Sequence, residues 1–257
     1  MSIDYELTDG VALITINRPE RANAMDAEHY AGLSAAWQQV RDDNAVRAAI
    51  ITGAGERVFS AGADLTSWVG REKQLSDHWL TQKDPLLNRG LEVWKPVICA
   101  INGACVGGGM TLMLATDLRV AVKGARFGLS EVKRGIIAAN GGTQRIMRQM
   151  PYAIAMEMLL LGEDIDAEMA LRWGLINRVV EREDLIPTAL DLAARIGANA
   201  PLAVRAAKEL AVKSQDMTLS EGLRMEQFVN HILHASEDTR RAKEAFAEKR
   251  RPVFEGN

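Results

Sequence analysis

Cysteine is scarce in this 257-residue chain, and its two copies carry little chemical information. Cys99 and Cys105 lie six positions apart inside an apolar segment, a spacing that fits neither a disulfide framework nor a set of metal ligands. We therefore expect two buried thiols in a reducing compartment. Histidine predicts no metal site either, because His231 and His234 stand three apart on a helix without a third ligand nearby.

Long apolar runs, a secretory leader and an excess of positive charge are also missing. No segment has 18 uninterrupted apolar residues, and the N-terminus carries acids without a basic stretch followed by an apolar one. The formal net charge of -3 at pH 7 argues against nucleic acid or an anionic membrane surface as a partner. The sequence thus predicts a cytoplasmic protein.

Apolar strands and helices alternate in the first 150 residues. The strands are predicted at 11–16, 48–53, 97–101 and 118–122, and the helices between them at 26–40 and 107–115. Strand, helix and strand in succession form a crossover unit, so the pattern predicts an α/β fold with parallel strands. After Pro151 the chain is predicted to be almost entirely helical.

Two glycine turns each follow a strand and open a helix. The first turn reads FSAGADL at 59–65, and the second reads NGACVGGG at 102–109. A helix N-terminus leaves backbone N–H groups without partners and carries the positive end of the helix dipole, so each turn can hold negative charge. Glycine also serves simply to permit tight turns, and the GxGxxG and GxxxxGK[ST] phosphate motifs are absent. Neither turn is decisive alone.

Seven sequence blocks, in their order and spacing, resemble the enoyl-CoA hydratase/isomerase family, also called the crotonase family. The blocks are NRP with NAM (17–25), FSAGADL (59–65), KPV leading to ING and GGG (95–109), ATDLR (115–119), FGLSE (127–131), GGTQR (141–145) and GLI (174–176). The resemblance implies an α/β fold, a crotonase-like spiral of β-β-α units over residues 1–195. It also implies a C-terminal α-helical oligomerisation region at 196–257, and a homotrimer or a dimer of trimers.

The resemblance also implies roles for particular residues. The backbone N–H groups of Ala63 and Gly108 are expected to polarise the thioester carbonyl of an acyl-CoA, as an oxyanion hole does. Glu131 is expected to move the protons, and apolar surroundings would raise the pKa of its carboxyl towards neutrality. No cofactor is implied, because coenzyme A is part of the substrate.

Two positions depart from hydratases that use two glutamates. Thr111 stands where the second glutamate is found, and a hydroxyl cannot serve as a base at pH 7. It either bonds back to its own helix or contacts substrate or water. The other departure is IAAN at 137–140, where the Ala139 N–H remains available for water and Asn140 is either a turn residue or a polar contact in the site.

Further contacts to the substrate are implied along the chain. The residues expected to bind the nucleotide part of coenzyme A are Arg21, Ala22, Ala61, Asp64 and Leu65. Phe246 and Lys249 would reach it from a late helix, across a subunit boundary. Trp68 belongs to the mixed segment 66–95, which is either a pocket wall with Trp79 or a surface element.

Three functions follow from these features. The leading hypothesis is a lyase of fatty acid metabolism that hydrates a 2-enoyl-CoA, or dehydrates its product, with Glu131 as acid and base. Glu131 alone would also suit an isomerase that converts a 3-enoyl-CoA into a 2-enoyl-CoA. An acyl-CoA-binding or RNA-binding protein with little catalysis is disfavoured, because Glu131 and both turns are present and the chain is acidic.

Overall fold

The predicted apolar strands form the middle of a six-stranded sheet in a computed structural model that describes residues 2–68 and 84–257. In spatial order the strands are β1 (Ile3–Thr8), β2 (Val11–Ile16), β3 (Ala48–Gly53), β5 (Val97–Ile101), β7 (Leu118–Val122) and β10 (Arg178–Val180). β1 pairs with β2 as an antiparallel hairpin, and the remaining pairs are parallel. Because both faces of the central strands are covered, β3 and β5 read as continuous apolar runs, and all their residues are buried.

Four short strands form a second sheet. It contains β4 (Val58–Ser60), β6 (Ala104–Val106), β8 (Arg126–Gly128) and β9 (Ile165–Asp166). The chain passes from β3 to β4, from β5 to β6 and from β7 to β8, so each pass gives one strand to each sheet. This repetition brings the ends of β4, β6 and β8 together, and these are the strands that lead into the two glycine turns and Glu131.

Helices fill the connections and the C-terminal part. They are α1 (Ala27–Asp42), α2 (Gly108–Met113), α3 (Gly142–Gln149), α4 (Tyr152–Leu161), α5 (Ala167–Arg172), α6 (Leu185–Gly197), α7 (Pro201–Lys213), α8 (Leu219–His234) and α9 (Glu237–Ala247). Asp26 caps α1 by accepting the N–H groups of Glu28 and His29, and Thr218 opens α8 with a capping box. The predicted division between core and helical region at 195/196 lies in the last turn of α6.

The core is built from side chains of both sheets and of the helices that cover them. Trp37 of α1, Phe59 of β4 and Phe127 of β8 are among its largest fully buried side chains. Cys99 and Cys105 are both free and buried, and burial raises the pKa of each thiol, so both behave as small apolar side chains. Within the described ranges no helix has the length and apolar content to cross a membrane.

Candidate active site

The two glycine turns touch each other through their backbones. A Cβ atom placed on Gly62 would lie 2.4 Å from the backbone nitrogen of Gly108, and one on Gly108 would lie 3.2 Å from the nitrogen of Ala63. Gly62 also has a φ of +87°, which side-chain-bearing residues rarely adopt. Glycine at 62 and 108 therefore lets the amides of Ala63 and Gly108 lie side by side.

The hydrogen bonds that hold the two turns leave the amides of Ala63 and Gly108 without an acceptor in the described part of the chain. In the first turn the carbonyl of Gly62 accepts the Met25 N–H (2.7 Å), and the Asp64 N–H donates to the Met25 carbonyl (2.9 Å), so the intervening Ala63 N–H faces away from this bridge. In the second turn Gly107 donates to the Gly128 carbonyl (3.0 Å). Among residues 2–68 and 84–257, the N–H groups of Ala63 and Gly108 have no hydrogen-bond acceptor. Two neighbouring free donors suit a developing oxyanion.

Glu131 lies beside this pair of amides. It follows β8 in a short 3-10 helix, Ser130–Arg134, and a Cβ placed on Gly107 would lie 3.7 Å from its Oε1 atom. Its Oε2 atom is buried, with no hydrogen-bond partner in the described part of the chain. Loss of solvation on burial raises the pKa of the Glu131 carboxyl above its ordinary value. A carboxyl in this state is suited to proton transfer near neutral pH.

The rate of the catalysed reaction is expected to depend on pH through this carboxyl. If Glu131 acts as a base, the charged form is the active one, and kcat/KM falls about tenfold per pH unit below its pKa. Because burial raises that pKa, the fall is expected to begin above the ordinary glutamate value of about 4.3. A pH–rate profile, with circular dichroism at each pH to verify folding, measures this. A profile that stays flat down to about pH 4.3 would contradict the assignment.

Thr111, on α2, bonds back to its own helix, and its contact with substrate or water stays a prediction. Its Oγ1 atom donates back to the Gly108 carbonyl (3.0 Å) and accepts a hydrogen bond from Nδ2 of Asn88 (3.3 Å). It also lines a small pocket next to Gly108. Thr111 thus links the first turn of α2 to the loop that carries Asn88.

Asn140 contacts the same pocket, and Ala139 does not line it. Asn140 has a left-handed backbone with φ +54°, a conformation that asparagine tolerates. It is therefore a turn residue and a pocket residue at once. Its carbonyl accepts a hydrogen bond from Arg145 (3.0 Å). Ala139 is exposed, and the water contact of its N–H stays a prediction.

Three of the predicted nucleotide-binding residues, Ala22, Ala61 and Asp64, come together in one area. Ala61 donates to the carbonyl of Ala22 (3.0 Å), which joins the loop after β2 to the first glycine turn. The carboxylate of Asp64 accepts hydrogen bonds from Thr66 and from Arg18 (2.9 Å), and these bonds hold the pKa of Asp64 below its ordinary value. Asp64 therefore stabilises the first glycine turn through hydrogen bonds within the protein.

The remaining predicted contacts lie on the surface or outside the described residues. Arg21 is exposed, and the side chain of Leu65 is 47% exposed. Phe246, near the end of α9, is 87% exposed, and Lys249 follows that helix with φ +56°. Their reach across a subunit boundary stays a prediction. The side chain of Trp68 and the whole of Trp79 lie outside the described residues.

The sequence reasoning missed several pocket residues. Met25, Tyr30, Leu86 and Asn88 line the pocket beside Gly108 and Thr111. Leu86 and Asn88 belong to the 66–95 segment, so its described part lines this small pocket, and its role as a wall for the substrate stays a prediction. Asn88 stands 23 positions before its partner Thr111, in a stretch without regular structure, and no sequence pattern marks it.

In the described part of the chain, two adjoining amides without acceptors lie near a carboxyl group whose buried Oε2 atom has no partner, an arrangement suited to an enzyme that stabilises an enolate and moves a proton. A sequence model described as enoyl-CoA hydratase/isomerase matches residues 6–257, and the chain belongs to this family. The (E)-benzylidenesuccinyl-CoA hydratase of Thauera aromatica is 42% identical over 256 residues, which cover 100% of each chain. Carnitinyl-CoA dehydratase of Salmonella typhi is 41% identical over 252 residues, 95% of this chain and 94% of the relative.

Solved structures agree on the fold. An enoyl-CoA hydratase from Mycobacterium tuberculosis superposes with a TM-score of 0.92 at 36% identity, covering 100% of this chain and 99% of that one. A probable enoyl-CoA hydratase/isomerase from Mycobacterium abscessus gives 0.89 at 41% identity, again over 100% and 99%. The predicted crotonase fold, mixed α/β with a helical C-terminal region, is confirmed.

Proposed function

We propose that the protein adds water across the α,β double bond of a 2-enoyl-CoA, or removes it in the reverse direction. The observation that carries this proposal is the pair of free amides of Ala63 and Gly108 beside the buried carboxylate of Glu131. The predicted class of activity, hydration or dehydration of an acyl-CoA thioester, is confirmed by relatives that are named hydratases and a dehydratase. The individual residue roles are part of the proposal.

In the hydration direction the thioester oxygen accepts hydrogen bonds from Ala63 and Gly108. This draws electrons from the double bond and makes the β-carbon electrophilic. Water attacks that carbon while one of its O–H bonds breaks and the proton passes to Glu131. The double-bond electrons move onto the thioester oxygen as an enolate. Glu131 then returns the proton to the α-carbon, so a C–O and a C–H bond form and no cofactor is consumed.

A single carboxylate favours an isomerase as the second candidate. Thr111 replaces the second glutamate, and no carboxylate is among the residues that line the described pocket beside Gly108. One base is sufficient to take a proton from the α-carbon of a 3-enoyl-CoA and return it to the γ-carbon. The same oxyanion site would stabilise the dienolate between these steps.

The two reactions change the absorbance of a conjugated thioester in opposite directions. We expect the protein to consume the conjugated absorbance of crotonyl-CoA or, for an aromatic acyl group, of cinnamoyl-CoA. The isomerase would instead generate this absorbance from but-3-enoyl-CoA. Loss with the first substrates supports hydration, and gain with the last alone supports isomerisation. No change with any of the three would contradict the proposed function.

An oligomer built through the C-terminal helices completes the proposal. Leu219, Phe228 and Ile232 on α8 and Phe246 on α9 are all more than half exposed, and apolar side chains in such number favour burial against another copy of the chain. A homotrimer or a dimer of trimers would provide this burial and place Phe246 and Lys249 near a neighbouring coenzyme A. A cytoplasmic location is also proposed.

A further inference from the structure

The pocket beside the oxyanion site is the size of one water molecule. The space open to the centre of a water molecule inside it is about 10 Å³, close to what a single water needs. Its apolar wall comes mainly from Met25, Leu33 and Leu86, and the lining residues with polar groups are Tyr30, Asn88, Gly108, Thr111 and Asn140. A water in a pocket of this size needs two or more polar partners, and these residues are the ones that can supply them.

The side-chain oxygen of Asn88 has no hydrogen-bond partner among the described residues. The residue is 7% exposed, and its backbone carbonyl is held by Nη1 of Arg145 (3.1 Å). Its Nδ2 donates to Thr111, while its Oδ1 is buried and has no partner in the described ranges. Buried acceptors are normally satisfied by protein or by water. The Asn88 Oδ1 atom therefore calls for a ligand that donates a hydrogen bond.

Thr111 cannot provide this hydrogen bond. Its only proton is directed at the Gly108 carbonyl, and its oxygen accepts from Asn88. The hydroxyl therefore orients the Asn88 amide, with Nδ2 towards Thr111 and Oδ1 free. Thr111 and Asn88 both line the pocket beside Gly108, and of these two side chains Asn88 is the one with an unused acceptor among the described residues.

We propose that Oδ1 of Asn88 holds the water molecule that attacks the β-carbon, a role that rests on the proposed hydration. The water donates one hydrogen to Asn88 and the other to Glu131, which leaves an oxygen lone pair for the substrate. The pocket and the carboxylate flank the same peptide, since Gly108 lines the pocket and Glu131 lies beside Gly107. Asn88 orients the water, and Glu131 alone takes its proton, because an amide oxygen is too weak a base.

Two reactions, one that needs the water molecule and one that does not, distinguish a water-orienting role of Asn88 from a structural role. Hydration of crotonyl-CoA needs the water, whereas exchange of the α-protons of butyryl-CoA in D₂O needs only the oxyanion site and Glu131. In Asn88→Leu we expect kcat for hydration to fall about 10- to 100-fold, as for the loss of one orienting hydrogen bond. The exchange rate is expected to stay within about twofold of wild type. Equal losses in both reactions, or no loss in hydration, would overturn the proposal.

Gln149→Leu is a matched control for the loss of a buried amide. Gln149 also donates one hydrogen bond, to the Leu114 carbonyl (2.9 Å), and its Oε1 is likewise buried without a partner in the described residues. It does not line the pocket beside Gly108. Both reactions are expected to proceed at wild-type rates in this variant, so a matching defect there would count against a special role for Asn88.

A crystal structure of the wild-type protein tests the water site even if Asn88→Leu does not fold. One ordered water is expected about 3 Å from Oδ1 of Asn88, and a well-resolved pocket without it would overturn the proposal. The outcomes also distinguish the proposed hydratase function from the proposed role of Asn88. A bound water without any hydratase activity contradicts the proposed function, whereas hydration that Asn88→Leu leaves intact contradicts the inference.

Discussion

Replacing Glu131 by glutamine is expected to lower kcat/KM for hydration by about 10²- to 10⁴-fold, the range for loss of a general acid or base. The substitution keeps the shape of the side chain and removes its ability to carry the proton between water and the α-carbon. No carboxylate is among the residues that line the described pocket beside Gly108, so no side chain there can take over the proton transfer. Steady-state hydration of crotonyl-CoA measures the loss. Glu163→Gln, a change of the same kind at an exposed position, is expected to keep full activity.

The same variant is expected to be at least as stable as the wild type at pH 8. Burial raises the pKa of Glu131 in the folded protein above its value in the unfolded chain. The folded state therefore binds the proton more tightly, and the free energy of unfolding falls as the pH rises from the unfolded to the folded pKa. Glutamine carries no charge and avoids this penalty. Thermal unfolding at pH 5 and pH 8 compares the two proteins, and an activity loss that merely followed a lower Tm would contradict a catalytic role.

The strands that are buried along their whole length were predictable from the sequence. β3 and β5 are covered on both faces, so their apolar runs were recognisable without any partner. β1 was missed because its residues become half-buried or exposed after Ile3, which leaves no clear pattern. The strands of the second sheet are only two or three residues long, too short for a period to be seen. They are defined by pairing between distant segments.

The backbone part of the candidate site was predictable, because the two glycine turns that form it are visible in the sequence. The glycines at 62 and 108 leave a trace in the sequence because a side chain there would collide with the facing turn. The resemblance to a family then attached roles to Ala63, Gly108 and Glu131. Asn88 left no such trace, because its contact with Thr111 and its free acceptor arise only when a loop packs against α2.

Gly62→Ala is expected to lower kcat by about 10²- to 10³-fold, the cost of losing one oxyanion donor. The new methyl carbon would lie 2.4 Å from the nitrogen of Gly108, well inside van der Waals contact. The neighbour is backbone and cannot rotate away, so the two turns must separate and the amides of Ala63 and Gly108 no longer converge. Hydration of crotonyl-CoA by the purified, folded variant measures the effect.

Two other glycines separate this collision from simple backbone strain. Gly124 has a similar φ of +78°, and a Cβ atom placed on it would have no heavy atom within 4 Å, so Gly124→Ala is expected to lose about 1 kcal/mol of stability and no activity. Gly108→Ala brings a Cβ to 3.1 Å from the Gly62 Cα, a tight contact that a small shift relieves, so an intermediate loss of kcat is expected. The expected loss of kcat is largest for Gly62→Ala, intermediate for Gly108→Ala and absent for Gly124→Ala. This order follows how closely the new Cβ atom would approach its neighbours. Wild-type kcat in a folded Gly62→Ala protein would show that the reaction does not depend on the convergence of the two amides.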